Sequence, residues 1–314
     1  MGEMVNAQSL GIVLVLGNVG WAGGQPAGDA RAPRSSPAVA GVAAKPDGTG
    51  SAGPESPGGF RLDRAELTEP LVTDRPDFTE STDAVPRGHL QLESGYTFTY
   101  DREEQDRVHD HTAPELLLRI SPLDNFELRL GWAGYSWTQS QFEGRTRADR
   151  RVTREEWEQG ANDLSLGFKV KLVEQQGWRP HFGVIGQISV PSGSPSLSSG
   201  DVDPEVKLLW AYDLGERVAL SGNVNLAVPT EDSHRFVQTA ASLSLGVSLT
   251  EWLGTYVEYF GFYPNAHSTD AAHYLNGGFT FPIHRDFQID LRAGAGLNEE
   301  ADDFFTGVGF AWRL

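Results

Sequence analysis

The sequence predicts an all-β protein, a closed antiparallel transmembrane β-barrel of about twelve strands with a disordered N-terminal segment. Two observations carry the prediction. The first is a period of two in hydrophobicity. In Phe287–Leu297, Phe287, Ile289, Leu291, Ala293, Ala295 and Leu297 alternate with Gln288, Asp290, Arg292, Gly294 and Gly296. In Phe304–Leu314, Phe304, Val308, Phe310, Trp312 and Leu314 share one face with Thr306, and Gly307, Gly309 and Arg313 lie on the other. One face of each strand is greasy and the other polar or empty, and each run is long enough to cross a bilayer when tilted. The second is an alternation of connections, short turns taking turns with longer polar loops. Bacterial outer-membrane barrels have this asymmetry, with short turns at the periplasmic rim and long loops outside. A soluble β-sandwich, the competing architecture, gives no reason for it.

Composition bounds the rest. The 314 residues include no cysteine, which removes disulfides, thiol nucleophiles and thiolate metal sites. A net charge of −18 argues against a nucleic-acid partner, since phosphate binding needs a basic surface. No apolar run approaches the roughly 18 residues of a membrane helix. The mean hydropathy of −0.35 is compatible with a barrel, in which only alternate strand residues need be apolar.

Taken in order, residues 1–22 read as a secretory signal. Leu10–Leu16 is a short hydrophobic core and Gly20-Trp-Ala22 a small-residue cleavage site, although the leading segment carries Glu3 and no cation. Residues 23–70 read as a linker. Gln25–Gly59 is rich in Pro, Gly, Ala and Ser without periodicity, too poor in apolar residues to offset its ordering entropy. Residues 71–88 hold the one compact motif, Leu71-Val-Thr-Asp-Arg-Pro-Asp-Phe-Thr-Glu-Ser-Thr82. Asp74 and Asp77 bracket Arg75-Pro76. Pro76 favours an extended Arg75, and the hydroxyls of Thr79, Ser81 and Thr82 suit a turn. The segment reads either as a polar lead-in to the first strand or as a plug at the periplasmic mouth, with Arg75 paired to Glu93 or Glu115.

Residues 89–314 form the barrel. The strand-like runs are His89–Tyr100, Thr112–Ile120, Phe126–Trp137, Asn162–Val173, His181–Val190, Pro204–Asp213, Val218–Val228, Phe236–Thr250, Leu253–Tyr263, His273–Phe281, Phe287–Leu297 and Phe304–Leu314. Alternation is clean in Asn162–Val173, where Leu164, Leu166, Phe168, Val170 and Leu172 oppose Asp163, Ser165, Gly167, Lys169 and Lys171. It is poor in Leu253–Tyr263, with aromatics on both faces. Short turns fall at Ser121–Asn125, Glu174–Trp178, Asp213–Arg217, Thr250–Trp252 and Pro282–Asp286. Longer loops are expected at Asp101–His111, Thr138–Ala161, Pro191–Val202, Pro229–Arg235, Pro264–Ala272 and Asn298–Asp303.

Projected inward, the strands offer Glu93, Glu115, Arg119, Glu127, Arg129, Lys169, Lys171, Glu205, Lys207, Glu258, Asp290, Arg292 and Arg313. Such charges either pair with one another and fill the barrel or line a polar path that sets selectivity. His109 and His111 flank Asp110 in a spacing that a metal could use, but a solvated loop explains them more simply, and no metal or cofactor is expected. No H-E-x-x-H, phosphate loop or G-x-S-x-G occurs, and Ser233-His234 is a chance pairing, so no enzyme is expected.

The run Thr73-Asp-Arg-Pro-Asp-Phe-Thr-Glu-Ser81, the strand opening Gly88-His-Leu-Gln-Leu-Glu-Ser-Gly-Tyr96, the step Val190-Pro-Ser-Gly193 and the close Asp303–Leu314 together resemble the bacterial "meta-pathway of phenol degradation" family of outer-membrane transporters. The resemblance covers roughly Thr73 to Leu314. It implies an outer-membrane channel or transporter that passes small molecules, aromatic or hydrophobic compounds among them, by diffusion through the lumen. The partners it implies are the lipid bilayer, an unidentified solute and the barrel assembly machinery. The alternative is a non-conducting structural or adhesive barrel whose outer loops bind a partner.

Overall fold

The computed structural model describes residues 64–67, 70–103, 106–145, 151–231 and 233–314. The expected signal segment and nearly all of the expected linker lie outside the described residues.

The described residues form sixteen strands: β1 (Leu90–Glu103), β2 (Asp106–Leu123), β3 (Phe126–Trp132), β4 (Tyr135–Arg145), β5 (Arg151–Ala161), β6 (Leu164–Val173), β7 (His181–Val190), β8 (Asp203–Asp213), β9 (Val218–Ala227), β10 (Thr230–Glu231), β11 (His234–Arg235), β12 (Gln238–Thr250), β13 (Leu253–Tyr263), β14 (Ala272–His284), β15 (Phe287–Gly296) and β16 (Phe304–Arg313). All but β10 and β11, which pair only with each other, build a twelve-staved antiparallel barrel. β1 pairs with β2 on one side, Gln91 opposite Arg119, and with β16 on the other, Gln91 opposite Arg313, so the sheet closes on itself. Closure leaves no edge strand in the ring that continues through β6, which is what a sheet in lipid requires, while β5 pairs with β4 alone.

Two staves are bent. β3 and β4 continue one another across Ala133-Gly134, and β5 and β6 across Asn162-Asp163. β2 pairs with β3 through Leu116–Leu123 and with β4 through Arg107–Ala113, so the bend divides one long ribbon into a wall part and an outer part. Gly134 takes φ of 99° at the bend, and a Cβ there would lie 2.7 Å from the Pro114 carbonyl oxygen. Glycine alone meets both conditions without strain.

Two expected loops are therefore corrected. Within Asp101–His111, Asp101 pairs with Val108 and Glu103 with Asp106. Within Thr138–Ala161, the ladder runs from Thr138 opposite Glu158 to Arg145 opposite Arg151. On these extensions the buried inner face is itself polar, with Asp110, Thr138 and Ser140, and the outer face carries polar residues such as Gln139 and Gln141, so the period-two signal in hydrophobicity vanishes although the ladder continues. Pro229–Arg235, also expected as a loop, holds the short β10–β11 hairpin.

The two faces of the wall differ as alternation demands. Leu291 and Val308 are 44% and 43% exposed, whereas Asp290 and Arg292, next to Leu291 on β15, are 0% and 4% exposed. The exposed face includes Leu128, Leu130, Leu166, Phe168, Leu208, Val224 and Leu243. A continuous apolar exterior around a polar interior belongs to a barrel of the outer-membrane kind. Leu291→Arg is expected to cost about 2–4 kcal/mol when folding into vesicles is followed by denaturant titration, and Leu314→Arg at the rim about 0–1 kcal/mol. Equal costs at the two positions would contradict this depth assignment.

Candidate functional site

The buried heart of the molecule lies inside the barrel. The segment Val72–Val85 enters from the rim of the short turns, rises to Phe78 and returns to β1. At its base Leu71 N donates to the Arg285 carbonyl at 3.2 Å, and Arg313 Nη1 donates to the Pro70 carbonyl at 3.3 Å. Thr73 to Thr82 are all buried. None of this segment joins a wall strand in a β-ladder. Its polar groups are satisfied by side chains of the wall, as a desolvated backbone demands.

Asp74 is the lower anchor. Its amide donates to both Glu93 carboxylate oxygens at 3.0 Å. Its carboxylate accepts from Lys169 Nζ at 2.7 and 2.8 Å, from the Ser81 amide at 3.1 Å and from Arg129 Nη1. Arg119 links both legs to the wall. It donates to Glu127 (2.9 Å), Glu93 (3.0 Å), the Val72 carbonyl (3.2 Å) on the rising leg and the Asp83 carbonyl (2.9 Å) on the returning leg. Glu80 accepts from Arg129 Nη2 at 2.8 Å and Lys207 Nζ at 2.5 Å. Arg119, Arg129, Lys169 and Lys207 thus form a cationic ladder along β2, β3, β6 and β8 that grips the segment's carboxylates.

The opposite side has reversed polarity. Arg75 Nη1 donates to Glu115 at 2.6 Å, and its Nε lies 3.6 Å from Asp290. Gly95 and Gly309, paired across β1 and β16, make room for the guanidinium. A Cβ at Gly95 would sit 2.3 Å from Arg75 Cζ, and one at Gly309 2.3 Å from Arg75 Nε. Arg292 donates to the Pro76 carbonyl at 3.1 Å and to Thr97 Oγ1 at 2.7 Å. Asp77 accepts from Ser244 Oγ at 2.8 Å. At the tip, Glu258 accepts from the amides of Phe78 and Thr79, both at 2.7 Å, and from Thr79 Oγ1 at 2.6 Å. Phe78 stacks on Phe260, with centroids 4.8 Å apart and rings nearly parallel at 4°, and meets Phe262 edge-on at 5.3 Å. Phe260 in turn stacks on Tyr274 at 4.9 Å.

Of the sequence-predicted inward residues, Glu93, Glu115, Arg119, Glu127, Arg129, Lys169, Lys207, Glu258, Asp290 and Arg292 meet around the inserted segment, together with its own Asp74, Arg75, Pro76 and Asp77. Three lie apart. Lys171 sits at the short-turn rim with Asp83 (2.7 Å) and Glu174 (2.6 Å), and Arg313 pairs there with Asp286 at 2.6 Å. Glu205 accepts from Gln187 Nε2 at 2.8 Å, 3.8 Å from Lys207. Sequence reasoning missed Glu80 and Phe78 as contact residues. The signal for Phe78 was present in β13, where Phe260 and Phe262 disturb the alternation because they face an inserted ring. Among the described residues no group of three or more His, Asp or Glu side chains is arranged to hold a metal.

Burial opposes the charge of Asp74, but Arg119, Lys169 and Arg129 outweigh it and hold this carboxyl well below its ordinary range. Burial, and then the Glu258 carboxylate, push Asp77 well above it. A carboxyl with a depressed folded pKa stabilises above its unfolded pKa, about 4 for Asp, and loses that contribution as pH falls below it. Protection of the segment from protease should therefore fall as pH drops through this window, and Asp74→Asn should flatten that part of the profile. An unchanged profile in Asp74→Asn would remove Asp74 as the titrating anchor.

The sequence model of the family described as "Putative MetA-pathway of phenol degradation" matches residues 73–314, and the chain belongs to that family. No curated protein matches the chain. Among solved structures, an outer membrane channel from Pseudomonas putida F1 is similar at 14% identity, covering 74% of this chain and 98% of that one, with a TM-score of 0.54. The NanC porin (7% identity, 72% of this chain and 100% of that one, TM-score 0.44) and the translocator domain of the autotransporter NalP from Neisseria meningitidis (8% identity, 72% and 88%, TM-score 0.44) are more distant. At such identities the first likeness speaks to the fold, an outer-membrane barrel.

Proposed function

We propose that this family member is an outer-membrane channel that passes small solutes through its lumen, and that Val72–Val85 is a plug that closes the resting pore. The observation that carries the reading is that the lumen is occupied by a separable segment. Barrels of about eight strands fill their interior with side chains of their own wall, and a wider ring leaves space for another occupant. Here wall charges converge on a segment that shares no β-ladder with the barrel and is tethered to β1 at one end. Such a segment can leave the lumen without breaking a wall hydrogen bond. It would leave a path lined by Arg119, Arg129, Lys169, Lys207, Glu93, Glu115, Glu127, Asp290 and Arg292, residues of both signs that suit small polar or amphipathic solutes.

Single-channel recording of the full chain in planar bilayers tests the proposal. Rare, brief openings are expected from the intact protein and more frequent ones from Asp74→Asn/Glu80→Gln, which weakens the grip on the ladder. A folded double variant that stays as silent as the parent would favour a non-conducting barrel whose outer β4–β5 extension serves adhesion.

A further inference from the structure

We infer that the plug occupies, with its own side chains, a lumen site for small aromatic carboxylates; the inference rests on the channel reading above. Phe78 is the ring. It fills an apolar slot on one wall of an otherwise charged lumen, stacked on Phe260 at 4.8 Å and flanked by Phe262 at 5.3 Å, with Ala240, Ala272 and Phe305 in the same buried cluster. Parallel and edge-on partners are the two arrangements that aromatic rings favour, so the slot selects a flat ring over a branched aliphatic group.

Glu80 and Asp74 are the carboxylates. Glu80 is held by Arg129 and Lys207, and Asp74 by Lys169 and Arg129. Phe78 and Glu80 are two residues apart, so their Cα atoms lie within about 7 Å. A ring slot and a two-cation carboxylate site are thus served by one short stretch of chain. An acid with an arm between ring and carboxylate presents the same two groups.

Charge sets the sign of the ligand. Once the plug withdraws, Glu93, Glu127 and Glu205 remain beside Arg119, Arg129, Lys169 and Lys207, three carboxylates for four cations. Of the plug's five ionisable residues, Asp74, Arg75, Asp77, Glu80 and Asp83, it is the acids Asp74 and Glu80 that this ladder holds, so this side of the lumen is built around an acidic occupant. An incoming carboxylate replaces one already there, with charge-assisted hydrogen bonds of the same kind. Binding of solute and occupation by the plug then exclude one another, and the solute favours the open state by its affinity for the vacated site.

Calorimetric titration of the full-length Phe78→Ala variant in detergent micelles tests this, with phenylacetate, benzyl alcohol, benzylamine and acetate as probes. Heat-modifiable migration shows whether the variant is folded, and Phe78→Leu replaces it if it is not. Phenylacetate is expected to bind at least about tenfold more tightly than benzyl alcohol, benzylamine or acetate, and adding Lys207→Met is expected to remove its advantage over benzyl alcohol. Equal binding of phenylacetate and benzyl alcohol, a preference for benzylamine, or no binding to the folded variant would overturn the inference. Conductance is read separately. A conducting barrel that ignores phenylacetate sinks only the ligand class, and a barrel that binds it but never conducts sinks only the channel reading.

Discussion

Arg119→Ala is expected to destabilise the barrel by about 3–5 kcal/mol, read from denaturant titrations of folding into lipid vesicles. The expectation follows from where the guanidinium sits. Its side chain is almost wholly buried and contacts Glu93, Glu127 and Asp74, the last at 3.5 Å, as well as two plug carbonyls. Removing one partner of a buried ionic network leaves the others as uncompensated charges in a dry place, and that desolvation cost exceeds the net worth of the pairs. Arg119→Lys should recover only part of the loss. A single ammonium cannot present the planar fork that reaches Glu127, Glu93 and carbonyls on both plug legs together. Removing Glu127 as well should cost less than the sum of the two single changes, because the orphaned carboxylate goes with its partner. A loss below about 1 kcal/mol for Arg119→Ala would place this network among solvent-screened surface pairs.

The barrel was legible because bilayer and lumen impose opposite solvents on alternate residues. β6 carries that pattern in Leu164, Leu166 and Phe168 against Ser165, Gly167 and Lys169, and its side chains divide accordingly. The pattern failed where both faces of a strand are polar although one is still buried. Thr138, Gln139, Ser140 and Gln141 of β4 face partners such as Glu155, Glu156, Trp157 and Glu158, and nothing in that polar run marks a strand. The site was legible in part. Four charges within a few residues of Pro76 mark Asp74–Glu80 as more than a tether, and Glu115 stands among the few inward carboxylates that Arg75 can reach. The ring slot was not legible, since Phe78 meets Phe260 and Phe262 only through closure of a barrel more than 180 residues of sequence later. The irregular alternation of β13 was its trace.

Deleting Leu71–Thr82 is expected to give a folded barrel with a permanently open lumen and a conductance severalfold above that of the parent, recorded in planar bilayers. The deletion removes more contacts than Arg119→Ala yet should cost less stability, and the reason is water. With the plug in place, Arg119, Lys169, Glu258 and Asp290 are buried, and each depends on the particular partner it has. With the plug gone the lumen floods, and bulk solvent supplies the hydration that the plug's carboxylates and amides had replaced. The wall ladders, from Gln91 opposite Arg119 round to Gln91 opposite Arg313, do not include the deleted residues and should remain intact. Asp83 and the short stretch to β1 stay behind and hold Lys171 at the rim, so the entry to the first strand keeps an anchor. The barrel should therefore migrate as a folded, heat-modifiable species while its current rises. A folded deletion variant with parental conductance would mean that wall side chains collapse to refill the lumen, and that the plug blocks a path the wall can also close by itself.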